Sequence, residues 1–123
     1  MAGAYDSAVE ELRLALSLNP YHPPFWWATL GRALVLAGRP HDALIELRRC
    51  AARAPDYRPG HSSMVVACVE TGHLEEARAA MREVLRLRPG WVIRDYDGVF
   101  GFKNEADTTR FLDAFRAAGM PDS

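Results

Sequence analysis

The 123-residue chain is short of several things, and each scarcity excludes a class of function. Cysteine occurs twice, at Cys50 and Cys68, too few for a disulfide framework and without the spacing of a metal site; both read as small apolar core residues. Charge of one sign is also missing: fifteen Lys and Arg face sixteen Asp and Glu, interspersed, for a net charge of −1. Nucleic acid or an anionic membrane would call for a basic footprint, so neither is an expected partner. Long hydrophobic runs are absent. "ALVLAG" and "MVVACV" are far too short to cross a bilayer, and no charged-then-apolar leader precedes Gly3, which leads to the expectation of a cytoplasmic location.

The chemistry of catalysis is equally sparse. No glycine-rich phosphate loop and no Ser/His/Asp order stands out. His22, His41, His61 and His73 fall in linkers, turns or helix starts, and no two are spaced i,i+4 on one helix, so capping or surface roles are expected rather than metal ligation. "RDYDGVFGF" places Asp95 and Asp97 beside glycines, but the further oxygen ligands and closing glutamate of a calcium loop are missing. The segment reads as an acidic turn. No catalytic residue, cofactor or metal is expected, and the chain is not expected to be an enzyme.

What is present is a repeat. Gly3, Gly38 and Gly72 are separated by 35 and then 34 residues, and Pro20, Pro55 and Pro89 by the same intervals. Between them run the columns Ala8/Ala43/Ala77, Leu12/Leu47/Met81 and Ala15/Cys50/Val84. The glycines sit where one helical pattern stops and the next starts, a place that favours the left-handed conformation. The alanines allow two helices to approach, the next two columns continue that face at i+4 and i+7, and the prolines end it. The pattern predicts an all-α protein of antiparallel helix pairs stacked with a period of about 34 residues.

Helices are expected at 4–18, 24–37, 40–53, 58–71, 74–87 and 104–118, with a shorter one near 91–97. Val65, Val66 and Val69 favour strand by propensity, and the register overrides it. Glu46/Arg49, Glu75/Arg78 and Glu83/Arg86, with Glu10/Arg13, are i,i+3 pairs on outer faces and mark solvated surface.

The stretch "WATLGRALVLAGRPHDALIELRRCAARAP" resembles the tetratricopeptide repeat: Trp27, Leu30, Gly31, Leu34, Gly38, Ala43, Leu47 and Pro55 fill that motif in order. The next unit keeps Gly72, Ala77 and Pro89 but has His61 in the aromatic place and Val65 in the glycine place. The resemblance implies a short right-handed superhelical stack: a half repeat at 3–20, repeats at 24–55 and 58–89, and a degenerate C-terminal cap at 90–119. The closing "ADTTRFLDAFRAAGMPDS" and "NPYHPPFWWATLGRALVLAGR" are similar to the repeat tails of bacterial adenylate/guanylate cyclases. That likeness implies, as an alternative, a regulatory or oligomerisation tail of a larger signalling protein; no cyclase catalytic domain is present, and cyclase activity does not carry over.

Two surfaces follow as candidates. Helical spacing puts Trp27, Leu30 and Leu34 on a packed face and turns Phe25, Ala28, Arg32 and Val35 toward the side that becomes the concave groove in tetratricopeptide arrays. Ser62, Val66 and Val69 of the second unit would join them. A partner peptide or helix would bury apolar side chains there, with Arg32 fixing an acidic group. The second surface is an open edge. In register, Gly3 is a mid-repeat glycine, so Tyr5, Ala8, Leu12 and Ala15 lie on the face that a preceding helix would cover. Either a parent protein continues upstream or two copies pair there as a homodimer.

Overall fold

The computed structural model describes residues 3–18, 23–96 and 105–123, the side chains of residues 3 and 4 apart. Pro20, His22 and Asp97, which figure in the sequence reading, and position 104, the expected start of the last helix, lie outside them. Among the described residues there are six α-helices and no strand: α1 Gly3–Leu18, α2 Pro24–Leu36, α3 Pro40–Arg53, α4 Arg58–Glu70, α5 Leu74–Leu87 and α6 Glu105–Ala117. A 3₁₀ turn, Ile93–Tyr96, occupies the place of the short helix expected near 91–97.

Local sequence accounts for the boundaries. Pro24, Pro40 and Pro59 stand in the first turns of α2, α3 and α4, where a missing N–H leaves no hydrogen bond unmade. Gly38 and Gly72 take φ of 78° and 81° immediately beyond α2 and α4. At each, two backbone N–H groups turn back onto the helix: Gly38 N–H to Val35 O and Arg39 N–H to Leu34 O, then Gly72 N–H to Val69 O and His73 N–H to Cys68 O. This double closure satisfies carbonyls that the helix end would otherwise strand, and it needs the left-handed residue that glycine supplies.

Packing follows the chain. Each of α1 to α4 packs on its successor, and α2 also packs beside α4. The columns found in the sequence form the seams: Ala43, Leu47 and Cys50 of α3, and Ala77, Met81 and Val84 of α5, are all buried. Their counterparts in α1, Ala8, Leu12 and Ala15, are only half-buried. Val9 and Leu16 are the α1 residues that enter the core. Val65 and Val66 are helical and fully buried, so tertiary packing has overridden their β propensity. Cys50 and Cys68 are free, buried thiols. Between neighbouring units, Arg48 of α3 grips Glu76 of α5 through two hydrogen bonds of 2.9 and 2.7 Å. Three of the expected surface pairs form, Glu46–Arg49, Glu75–Arg78 and Glu83–Arg86.

The C-terminal segment packs back onto the stack through α4. Its helix α6 packs on α4 and on the 3₁₀ turn rather than over the exposed side of α5. Phe111 and Phe115 are its buried anchors, and Tyr96 meets Phe115 with ring centroids 5.0 Å apart. The tail beyond α6 fastens this end, since the N–H groups of Ile93 and Arg94 donate to the carbonyls of Pro121 and Asp122.

Candidate functional site

The concave side is built on α2 and α4. Along α2, Phe25, Ala28, Thr29, Arg32 and Leu36 recur at three- and four-residue intervals and so share one face. Facing them across a cavity of about 500 Å³ are Tyr5, Ala8 and Leu12 of α1, with Tyr57, Pro59 and Ser63 closing the far wall. Part of the expected groove, Phe25, Ala28 and Arg32, and part of the expected open edge, Tyr5, Ala8 and Leu12, therefore line one pocket. Ala15, the fourth edge residue, is half-buried and is not among its lining residues. Phe25 is the pocket's exposed aromatic at 54%. Its ring meets Trp26 edge-on at 5.8 Å, and the Thr29 hydroxyl donates to the Phe25 carbonyl within the helix.

Electrostatics in the pocket centre on Tyr5 and Arg32. The Tyr5 hydroxyl donates to Asp107 of α6 at 3.0 Å. Burial, then that hydrogen bond and the Asp107 charge, push the phenol above its ordinary 10.0, with Arg32 pulling the other way. Tyr5 is thus a protonated donor throughout the physiological range. Arg32 is exposed and lines both this pocket and a smaller cavity of about 180 Å³ bounded by Ser62, Tyr96, Phe111 and Phe115.

That smaller cavity shows what became of the rest of the expected groove. Pro59, Ser62, Val66 and Val69 form one stripe of α4, with Glu70 one turn beyond Val66. Ser62 looks across at Phe111 and Phe115, and at the other end Glu70 pairs with Arg110 of α6. Arg110 also donates to the Val35 carbonyl at 2.6 Å, and its pairing with Glu70 raises its pKa further. Helix α6 lies along this stripe, antiparallel to α4. The assignment of Val35 and Val66 to a partner-accessible groove is accordingly corrected: both have 0% exposure. With α6 in place they lie beneath it or in the seam between helices, closed to an incoming peptide. Ala28 is also buried and Val69 half-buried; Phe25 and Arg32 are the accessible members of the set.

Trp27, His61 and His73 have partners within the fold. Trp27 is half-buried with the Arg53 guanidinium over its ring at 5.3 Å, and Leu30 and Leu34 beside it are buried. His61 reaches the Pro55 carbonyl at 2.6 Å, and His73 pairs with the Thr71 hydroxyl at 2.7 Å. Among the described residues no three His, Cys, Asp or Glu side chains come together as a metal site, and no helix is long and apolar enough to cross a membrane. Sequence reasoning missed Thr29, Ala33, Leu36, Tyr57, Pro59 and Ser63 as pocket walls. Leu36 continues the Phe25–Arg32 stripe and was open to discovery; Tyr57 precedes α4 and carries no periodic signal.

Residues 64–90 match the family model of the tetratricopeptide repeat, a stretch from the second half of α4 through α5. No curated protein matches the chain. The match and the all-helical stack together support a tetratricopeptide-type protein, and with it a protein-interaction module; the cyclase-tail likeness is not confirmed by it.

Proposed function

We propose that this chain is a non-enzymatic interaction module that receives an apolar segment of a partner protein, as a peptide or helix, in the pocket between α1 and α2. Residues 24–55 and 58–89 are in this reading the two complete units, 3–20 a half unit and 90–119 a degenerate terminal one. The observation that carries the proposal is the 500 Å³ concave cavity, whose walls are mainly apolar and whose rim carries the exposed Phe25. Concave, mostly apolar sites with a few polar groups are the usual form of a recognition pocket. A partner's large apolar side chain would pack on Phe25, Leu12 and Leu36, and Arg32 would attract an acidic group beside it. A second copy of the chain would use the same Tyr5, Ala8 and Leu12 wall, so homodimerisation and partner binding are mutually exclusive occupancies of one surface.

Selection from a library of displayed helical peptides tests this. Enriched sequences should combine a large apolar residue with a nearby acidic one, lose binding to Phe25→Asp, and weaken about tenfold or more with Arg32→Glu. Peptides that bind both variants as well as the native chain would refute the pocket assignment.

A further inference from the structure

The concave stripe of α4 is not empty: α6 fills it. Its contacts have the form of a bound ligand helix. Two aromatic anchors one turn apart, Phe111 and Phe115, are buried. An arginine immediately before the first of them, Arg110, is paired with Glu70 at the end of α4 and with the last turn of α2 through Val35 O. One turn earlier, Asp107 accepts from Tyr5, a side chain that also lines the open pocket. The outer face of α6 is polar, with Glu105, Thr109, Asp113 and Arg116 exposed. An amphipathic helix laid in a groove shows this arrangement of apolar anchors on one face with polar residues on the other.

We propose that α6 is a resident occupant of the concave face, and that a partner helix with the same pattern, an arginine followed by two aromatics one turn apart, gains the α4 stripe by displacing it. Tyr5 and Arg110 are the clasp. Tyr5 belongs to both compartments, so a ligand that enters the open pocket and takes the Tyr5 hydroxyl removes one of the ties on α6 and favours its release. This deepens the pocket reading by adding its regulation, and it rests on the concave face being the partner surface. The two are separable, because peptide selection interrogates Phe25 and Arg32 whereas the experiment below interrogates α6.

Two measurements on the full chain decide it. In hydrogen–deuterium exchange, α6 amides should exchange about tenfold or more faster than the protected amides of α4 and α5, as a unit that opens before the global fold does. A fluorescent peptide of residues 105–123 should then bind the Arg110→Ala chain at least about tenfold tighter than the native chain, and the Tyr5→Phe chain about threefold tighter, because the resident helix competes less well. The same peptide with Phe111 and Phe115 both replaced by alanine should not bind. Tyr5→Phe removes a single hydroxyl and keeps the fold, and native-like exchange in α5 verifies that Arg110→Ala does too. Exchange of α6 in step with α4, or peptide binding that is absent or equal in all three chains, would overturn the proposal and make α6 a fixed part of the core.

Discussion

Replacing Val66 with asparagine separates a groove residue from a core residue. Val66 has no exposed surface, sits mid-way along α4, and lies on the stripe that α6 covers. Substitution forfeits the burial of an apolar side chain, worth about 1.5–3 kcal/mol. It also places an amide where water is excluded, at a further cost of about 1–3 kcal/mol when its hydrogen bonds are incomplete. The two together amount to about 2.5–6 kcal/mol, a large part of the roughly 5–15 kcal/mol that holds a domain folded. With an unfolding entropy near 2.1 cal/mol/K per residue, a chain of this length loses about 4 °C of Tm per kcal/mol, so a fall of about 10–24 °C is expected. Phe25→Asn is the control. Phe25 is more than half exposed, and its loss removes one edge-on ring contact, so Tm should stay within a few degrees. Thermal melts followed by circular dichroism read both variants. If Val66→Asn melted with the native chain while Phe25→Asn did not, Val66 would face solvent and the placement of α6 over it would be wrong.

Two other expectations come from the seams of the stack. A Cβ added at Gly31 would lie 2.5 Å from Cγ and 3.1 Å from Cδ1 of the fully buried Leu47, so Gly31→Ala should lower Tm by several degrees: overpacking of about 1–3 kcal/mol outweighs the gain of about 1 kcal/mol in helix propensity. A rise in Tm would show that α2 and α3 are farther apart than described. The hydrogen bonds from Arg48 hold the Glu76 carboxyl below its ordinary 4.5, with burial opposing. A carboxyl whose folded pKa is depressed contributes stability that is complete above its unfolded value and is lost as pH falls through the folded one. Urea unfolding should therefore show stability declining as pH drops below about 4.5, with a shallower decline in Arg48→Met; identical slopes in the two chains would refute a role for this pair.

Local rules reach most of this fold. The interval between turn glycines, the small-residue column and the closing prolines are all features of one helix pair, written within about 34 residues, and they determined the all-α stack, the order of its helices and the seams at Ala43, Leu47, Ala77 and Met81. They also put Phe25 and Arg32 on one side of α2, because helical spacing decides which residues share a face. They did not decide what lies against that face. The Phe111–Phe115 stripe shows that α6 must bury an apolar side, but the same stripe suits the outer side of α5 as well as the inner side of α4. The choice is made by partners remote in sequence: Arg110 with Glu70, 40 residues away, and Tyr5 with Asp107, 102 residues away. Amphipathic periodicity names the face a helix hides and is silent on its counterpart. For that reason only the tertiary structure could move Val35 and Val66 from the groove into the core, and join the Tyr5–Leu12 edge to the Phe25–Arg32 face as the two walls of one pocket.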